Sequence, residues 1–318
     1  MIAGKLSCII PFCVEYPQVL FTIRSIIEEL HGRVDFEIVA CDNYCGEVKR
    51  QGVERGRDSA QIKAHAELKP FIKYVEYDDK LSHWGAKRKS VEASDGEYLW
   101  FCDAHCMVGR SSLFNMFTYF KEHKDELDGT MHLPLTYHIM EDVKLIYTLR
   151  TDFKAGVFHY SFMNMPKQLR NGAPFEVPVM STCGMMMTRE LYDKVGGWPY
   201  ELGIYGGGEN FINFTLAVMG KKKWIYPARP LYHHGEKRSY YWNATDYFRN
   251  RVIALYISLG VEYAEKFADS YTKLGKITRK TLFYNAATVC QTHRELVEKQ
   301  QVIPIEEWVK QWEGSLFY

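Results

Sequence analysis

Residues 97–106 read EYLWFCDAHC, and this segment sets the pattern for the rest of the chain. The run from Tyr98 to Cys102 is continuously apolar, which is typical of a strand buried on both faces. It stops at Asp103 and His105, whose i, i+2 spacing points both side chains to one side of an extended backbone. A carboxylate and an imidazole at the end of a buried strand therefore predict a functional site there.

Segments with the same character lie upstream of this strand. The predicted strands are KLSCIIPF (5–12), FEIVACDN (36–43) and FIKYVEYD (71–78). The predicted helices are PQVLFTIRSIIEEL (17–30) and GAKRKSVEASDG (85–96), the second of them closed by Gly96. This alternation predicts an α/β fold with a parallel sheet and crossover helices, in which ligands bind at the carboxyl ends of the strands.

The pattern is looser downstream. We expect extra strands and a long irregular loop over the site in 129–180, then a short strand and a helix in 181–198 that ends at Gly196 and Gly197. Another amphipathic helix is expected in 209–220, and a strand with a polar, aromatic loop in 221–242. The segment from about residue 244 to the end has helical periodicity.

Composition narrows the class of protein. A formal net charge of +1 gives no general electrostatic case for binding nucleic acid or an anionic membrane. No apolar stretch reaches membrane-spanning length and the N-terminus lacks the apolar core of a signal peptide, so we expect a cytoplasmic protein. The eight cysteines include no CxxC pair, which favours reduced thiols. A zinc site formed by Cys41, Cys45, Cys102 and Cys106 is the alternative.

The donor types at the strand end indicate which metal ion would bind. An oxygen from Asp103 and a nitrogen from His105 suit Mn²⁺ better than Ca²⁺ or Mg²⁺, which prefer oxygen ligands alone. His233 and His234, after another predicted strand, are candidates for a third ligand. The alternative is structural: Asp103 caps the following helix and His105 lies in a polar rim.

Two other segments carry candidate binding residues. In GIYGGGENF (203–211), glycines precede Glu209 at a helix start, where Glu209 is a candidate general base or acceptor for a substrate hydroxyl. The alternative is a flexible loop with an acid that complements the helix dipole. Lys87, Arg88 and Lys89, together with Asp42 at a strand end, are candidates for holding a nucleotide, and a solvated run of charges is the alternative.

These segments together resemble one known family. The likeness to the nucleotide-sugar half of the glycosyltransferase-A fold lies in LSCIIPF with Glu15, in FEIVACDN and in GAKRKSVEASDGEYLWFCDAHC. The DAHC form, in place of Asp-x-Asp, resembles the polypeptide N-acetylgalactosaminyltransferases and their relatives. The region 181–234 resembles that family's Gly-Gly-start strand, its Trp-Gly-Gly-Glu-Asn segment and its Pro-to-His spacing of six. That spacing, here Pro227 to His233, favours His233 over His234.

The resemblance implies a Rossmann-like, mostly parallel sheet flanked by helices, with a helical C-terminal extension. It implies a catalytic domain at 1–235, made of a nucleotide-binding half (1–110) and an acceptor half (111–235), and an extension at 236–318. It also implies a UDP-sugar donor and Mn²⁺, or Mg²⁺, as cofactor. The implied metal ligands are Asp103, His105 and His233; the implied nucleotide-binding residues are Pro11, Phe12, Glu15, Asp42 and Lys87; and the implied sugar and acceptor residues are Gly207, Gly208, Glu209 and Asn210.

The sequence departs from the family pattern in the glycine-rich segment. Tyr205 stands where the family has Trp, Gly206 is an extra residue and Gly203 replaces an expected Asp. The identity of the donor sugar is therefore not implied. The DAHC relatives retain anomeric configuration, so retention is expected here, whereas an inverting enzyme would need a base such as Glu209.

The acceptor is predicted only as a hydroxyl group. Basic and aromatic residues alternate in 221–224, 236–242, 247–252 and 273–284, a mixture that can bind phosphate and stack on an exposed base. This pattern allows a hydroxymethylated pyrimidine in phage-type DNA as acceptor. A surface polysaccharide, a lipid-linked sugar or a protein are the other acceptors. A non-catalytic sugar-nucleotide or glycan-binding protein is an alternative of another class, and a metal-dependent hydrolase is a third.

Overall fold

The computed structural model describes residues 1–141, 143–235 and 238–318. The strands are β1 (Ile2–Phe12), β2 (Phe36–Asp42), β3 (Ile72–Glu76), β4 (Gly96–Phe101), β5 (Cys106–Met107), β6 (Gly129–His132), β7 (Leu135–Thr136), β8 (Leu145–Asp152), β9 (Val157–Asn164), β10 (Phe175–Glu176), β11 (Met185–Thr188), β12 (Lys222–Ile225) and β13 (Leu231–His233). The helices are α1 (Gln18–Leu30), α2 (Gly46–Arg50), α3 (Arg57–Leu68), α4 (His83–Glu92), α5 (Ser112–Leu127), α6 (Arg189–Lys194), α7 (Gly208–Val218), α8 (Ala244–Leu259), α9 (Val261–Ser270), α10 (Lys276–Glu298) and α11 (Ile305–Lys310). A short 3₁₀ helix spans Lys167–Leu169.

The main sheet has eight strands in the order β10-β12-β6-β11-β4-β1-β2-β3. Strands β3, β2, β1 and β4 are parallel neighbours, and helices connect them in the chain, as the sequence predicts. Every residue of β2 is buried, which explains the apolar run from Ile38 to Cys41 that precedes Asp42. The carboxyl ends of these strands therefore meet at one edge of the sheet, where Asp103 follows β4.

A second sheet was not predicted from the sequence as a separate unit. Its five strands run in the order β5-β13-β7-β8-β9, and β8 and β9 form a long antiparallel hairpin. The region 129–180 thus contains β6 to β10, which confirms the extra strands. Two-residue strands such as β5 and β7 carry too little periodicity to be recognised in a sequence.

One helix boundary differs from the prediction. Gly96 does not close α4, because the helix ends at Glu92 with Ala93 as its C-cap in a right-handed conformation. Gly96 instead opens β4 and pairs with Ile2 of β1. At the other end of α4 the side chain of Ser82 caps the helix by accepting a 2.9 Å hydrogen bond from the Gly85 N–H.

The C-terminal segment is helical and shares a hydrophobic core with the main sheet. One buried cluster contains Leu99 of β4, Phe211 of α7, Val252 of α8 and Cys290 of α10. Helix α8 packs on α7 and helix α10 packs on α8, so these helices extend the same core through burial of apolar side chains. The division of the chain at residue 235 stays a prediction.

Among the described helices, none combines the length and apolar character needed to cross a lipid bilayer.

The burial of Lys223 in β12 leads us to expect that the stability of the protein depends on pH. The Lys223 side chain is 1 % exposed and its Nζ lies 4.8 Å from the centre of the Trp308 ring. Burial lowers the pKa of Lys223 to about 7, although the charge of Glu176 acts to raise it. Between pH 7 and the ordinary lysine pKa, the unfolded chain binds the proton more tightly than the folded chain, so stability should rise with pH through this window.

Urea unfolding of the wild type and Lys223→Met at pH 7.0, 7.75 and 8.5 measures this effect. We expect the wild type to gain about 1 kcal/mol per pH unit relative to the variant. The comparison of the two proteins cancels the titration of all other groups. An equal pH dependence in both would show that Lys223 keeps its ordinary pKa in the folded state.

Candidate active site

Backbone pairing brings the predicted metal ligands together. Asp103 follows β4, and His105 immediately precedes β5. β13 pairs with β5 so that His233 lies opposite Cys106, and the His234 N–H donates a 2.8 Å hydrogen bond to the His105 carbonyl. This register places the His233 ring, and not the His234 ring, beside Asp103. The distance between His233 Nε2 and Asp103 Oδ2 is 3.3 Å.

Asp103 lies among positive and imidazole groups. Its Oδ1 is 3.4 Å from Lys87 Nζ and 3.3 Å from His83 Nε2, and both of these side chains come from one face of α4. Burial acts to raise the pKa of Asp103, but Lys87 and the two histidines hold it well below its usual range. Burial and Lys87 in turn lower the pKa of His83 to about 4, so His83 is neutral at pH 7. Asp103 is therefore a stable carboxylate.

His105 contacts Glu15 through its Nδ1 and His233 through its ring. Its Nδ1 lies 2.9 Å from Glu15 Oε2, and its ring meets the His233 ring edge-on with the centres 4.7 Å apart. Burial acts to lower the pKa of His105, but the hydrogen bond and the charge of Glu15 raise it to about 9. Glu15 fixes the ring through Nδ1, so a metal ion would bind at Nε2 and displace the proton that the raised pKa keeps there.

The donor set fits a borderline divalent ion. Two donors at a right angle around one ion, each about 2.1 Å from it, are roughly 3 Å apart, and the His233–Asp103 separation is close to that value. The Nδ1 of His233 is buried without a hydrogen-bond partner. Asp103, Cys183 and His233 have ligand atoms within 4.8 Å of one another, and His105 lies beside this group through its ring contact. One carboxylate with two imidazoles suits Mn²⁺ better than Mg²⁺.

A cavity of about 270 Å³ opens beside Asp103 and His233. Glu209 lies on its wall, where the Thr182 hydroxyl donates a 2.7 Å hydrogen bond to Glu209 Oε1. Burial raises the pKa of Glu209, an effect that the Thr182 hydrogen bond opposes. Half of the remaining lining residues are aromatic: Trp84, Tyr137, Tyr147, Tyr160, Phe162, Tyr205 and Tyr247. A pocket lined by aromatic rings with a few convergent polar groups is typical of a small-molecule site.

Three of the predicted sugar and acceptor residues have packing roles. Asn210 is buried, its Nδ2 donates a 2.9 Å hydrogen bond to the Phe158 carbonyl of β9, and it is not among the residues that line this cavity. Gly207 has φ +83° and lies against the backbone of Asn250, and Gly208 lies against the Trp84 ring. Among the described residues, Glu209 is thus the member of the predicted set that lines the cavity.

Some of the predicted nucleotide-binding residues are buried in the sheet, and another lines a pocket. Asp42 is buried at the end of β2, and its carboxylate accepts hydrogen bonds from the Tyr44 N–H, the Ser59 hydroxyl and the Tyr74 hydroxyl. Pro11 and Phe12 are buried and are the last two residues of β1. Glu15, by contrast, lines a smaller pocket of about 140 Å³ together with His105 and Arg238.

Some of the basic and aromatic segments lie away from the cavity, and residues of one segment reach it. Lys221 pairs with Asp128 and Lys223 is buried, both at β12, so the segment 221–224 does not surround His233. Helix α10, which carries 276–284, packs on α8 and α9. Residues 236 and 237 lie outside the described part of the chain. In the segment 236–242, Arg238 reaches the cavity. Trp242 stacks on Tyr205, with ring centres 4.2 Å apart.

Several residues of the site were missed in the sequence. His83 could have been found from its i, i+4 spacing to Lys87, which places both on one helix face. Thr182 and Cys183 follow no sequence pattern that marks them. Arg238 lines both the larger and the smaller pocket, and its Nη1 is buried without a hydrogen-bond partner. That combination is visible only in three dimensions.

Relatives with similar sequences and structures are known. Polypeptide N-acetylgalactosaminyltransferase 10 of Rattus norvegicus and that of Mus musculus are each 22% identical over 222 residues, which is 67% of this chain. The chain spans about a third of the length of these curated relatives, 35%. The crystal structure of GalNAc-T7 with UDP, GalNAc and Mn²⁺ superposes with a TM-score of 0.66 at 16% identity, over 89% of this chain and 56% of that one.

Staphylococcus aureus TarS 1–349 in complex with UDP-GlcNAc superposes with a TM-score of 0.57 at 13% identity, over 93% of this chain and 84% of that one. At these identities the two structures establish the fold, and they confirm the expected glycosyltransferase-A architecture. The model of the family "Glycosyl transferase family 2" matches residues 7–196, more than half of the chain. The chain therefore belongs to glycosyl transferase family 2.

Proposed function

We propose that this protein transfers a sugar from a UDP-sugar to a hydroxyl acceptor and that the reaction depends on Mn²⁺. The observation that carries the proposal is the meeting of Asp103, His105 and His233 at the rim of a cavity whose wall holds Glu209. The complexes of similar proteins with UDP and UDP-GlcNAc support the choice of donor.

Asp103, His105 and His233 would hold the metal ion, which when bound supplies a Lewis acid for the diphosphate of the donor. Lys87 is fully buried beside Asp103 and is not in the cavity wall, so it acts on the donor through Asp103. It keeps that carboxylate ionised and in place. Glu15 fixes the orientation of the His105 ring through the hydrogen bond to its Nδ1.

Arg238 is the cation that faces the donor in this proposal. Its unpaired, buried Nη1 would cost free energy unless an anionic group accepts its hydrogen bond. A diphosphate that spans the larger and smaller pockets satisfies this group, because Arg238 lines both. Guanidinium is well suited to phosphate because it donates two parallel hydrogen bonds.

Glu209 lies on the acceptor side of the cavity. Its raised pKa and its fixed position suit a group that accepts a hydrogen bond, or a proton, from the acceptor hydroxyl. The resemblance to DAHC enzymes favours retention of configuration, whereas the position of Glu209 favours inversion with Glu209 as base. The anomeric configuration of the product, read by NMR, distinguishes these two mechanisms.

The acceptor proposed first is a carbohydrate hydroxyl. Aromatic rings of the β8–β9 hairpin and of Tyr137 line the cavity and offer flat apolar faces. A hydroxymethylated pyrimidine in DNA stays an alternative acceptor, with weaker support since the segment 221–224 lies away from the cavity.

A nucleotide-release assay tests the proposal. Purified protein is incubated with UDP-, GDP- and CDP-sugars, with Mn²⁺ or EDTA, and with glycan acceptors or hydroxymethylated DNA. Mn²⁺-dependent release from one UDP-sugar that increases with a glycan acceptor is the expected result. Release that increases only with the DNA would identify the alternative acceptor. Tight UDP-sugar binding without any release would contradict the enzyme and favour a non-catalytic binding protein.

Arg238→Met is expected to weaken UDP binding by about 10- to 100-fold, because charge-assisted hydrogen bonds contribute about 1.5 to 3 kcal/mol each. Binding of uridine, which lacks the diphosphate, should not change. Isothermal titration measures both affinities. Arg24→Met, at an exposed pair with Glu28, is the matched control. An equal loss of UDP and uridine binding would contradict a diphosphate contact.

A further inference from the structure

Three buried thiols lie directly behind the candidate Mn²⁺ site. Cys102 follows β4, Cys106 begins β5, and Cys183 lies on the cavity wall just before β11. Their exposures are 0 %, 1 % and 3 %. The three sulfur atoms lie within 4.8 Å of one another, and the Sγ atoms of Cys106 and Cys183 are 3.4 Å apart. All three cysteines are free.

The separation of the sulfur atoms matches a thiolate metal site. Three sulfurs bound to one ion at about 2.3 Å lie roughly 4 Å apart in either trigonal or tetrahedral geometry. Shifts of well under 1 Å would therefore bring this cluster to ligating geometry. The zinc site considered from the sequence used the wrong quartet: Cys41 and Cys45 lie in two other apolar clusters, and Cys183 takes their place.

The cluster differs from the neighbouring site in its chemistry. Thiolates are soft ligands that select ions such as Zn²⁺ and Cd²⁺, whereas carboxylate suits Mn²⁺. The two sites are also adjacent, because the Cys183 sulfur lies within 4.8 Å of the ligand atoms of both Asp103 and His233. An ion held by the three sulfurs would thus lie near two of the proposed Mn²⁺ ligands.

We propose that Cys102, Cys106 and Cys183 form a second metal site, selective for a soft divalent ion such as Zn²⁺, whose occupancy inhibits sugar transfer by drawing Asp103 or His233 away from Mn²⁺. The binding of the soft ion stands by itself, and only its inhibitory effect rests on the proposed function. Each thiol releases its proton to solvent as the metal–sulfur bond forms.

Cadmium titration of metal-free protein under a phosphine reductant tests the binding without any activity measurement. Thiolate-to-cadmium charge-transfer absorption should grow to one equivalent and should be lost in Cys106→Ser and in Cys183→Ala. Cys290→Ser is the matched control, since Cys290 is also buried and free but lies in α10. Its absorption should equal that of the wild type, and thermal unfolding of each variant verifies that it is folded.

The same titration separates the two metal sites. Asp103→Asn should keep the cadmium absorption even though it loses transfer, and Mn²⁺ should not produce the absorption. Zn²⁺ should inhibit transfer by the wild type and should do so at least tenfold less effectively in a folded Cys106→Ser protein. Absence of the absorption, or its persistence in both cysteine variants, would overturn the second site. Cadmium binding without inhibition by Zn²⁺ would overturn the inhibitory role alone.

Discussion

Asp103→Asn should lower kcat/KM for sugar transfer by at least about 100-fold, because even partners that only orient a metal ligand contribute 10- to 100-fold. The amide keeps the shape of the side chain but loses its charge, and Asp103 is the carboxylate between His83, Lys87 and His233. The measurement is steady-state transfer over a range of Mn²⁺ concentrations. If Asp103 is a ligand, the apparent affinity for Mn²⁺ should fall together with the rate.

Loss of stability is the competing explanation, and the structure offers a control for it. Asp103→Asn leaves the fully buried Lys87 without its partner, and breaking a buried ion pair costs about 3 to 5 kcal/mol. Asp103→Asn combined with Lys87→Met removes the orphaned charge and should recover most of the stability in urea unfolding. Transfer should stay lost in the double variant. Recovery of both would mean that the aspartate acts only on folding.

The parallel half of the fold was predictable because its information is local. Each of β1, β2 and β4 has a buried, mostly apolar stretch toward its carboxyl end, and Glu15, Asp42 and Asp103 lie at or just after those ends, at the edge of the sheet where ligands bind. Asp103 was found in this way. The choice of His233 over His234 came from a family spacing, and the backbone pairing of β13 with β5 supplies the physical reason for it.

The rest of the site depends on contacts between distant segments. Asn210 was predicted as catalytic from the resemblance to the family's Trp-Gly-Gly-Glu-Asn segment. A helix turns successive side chains by about 100°, and the Asn210 side chain bonds to β9 while Glu209 lines the cavity. Thr182 and Cys183 approach Asp103 through the antiparallel pairing of β11 with β4, and Arg238 follows β13 of the second sheet. The three-sulfur cluster joins residues about 80 positions apart, a pairing that no local pattern indicates.

Gly208→Ala should destabilise the protein by about 1 to 3 kcal/mol, the usual cost of overpacking a core. A Cβ at this position would lie 2.1 Å from Cζ2 of Trp84, whose indole is packed between His83 and Trp198. Because Trp84 lines the cavity and His83 contacts Asp103, the shift should also reduce transfer. Urea unfolding and kcat/KM measure the two effects. Gly172→Ala is the control, since its nearest neighbouring atom is 4.0 Å away.

A smaller ring at position 84 distinguishes a steric effect from loss of helix geometry. The Trp84 Nε1 has no hydrogen-bond partner, so Trp84→Phe removes volume without leaving a polar group unpaired. In the Gly208→Ala protein, Trp84→Phe should restore both stability and transfer in part, with a favourable coupling energy of at least about 0.5 kcal/mol in the double-mutant cycle. Additive effects would mean that Gly208 is needed for the start of α7 and not for the close approach of Trp84. The expected coupling ties the glycine-rich segment to the cavity wall through the Trp84 side chain, which explains how Gly208 affects the shape of a cavity that it does not itself line.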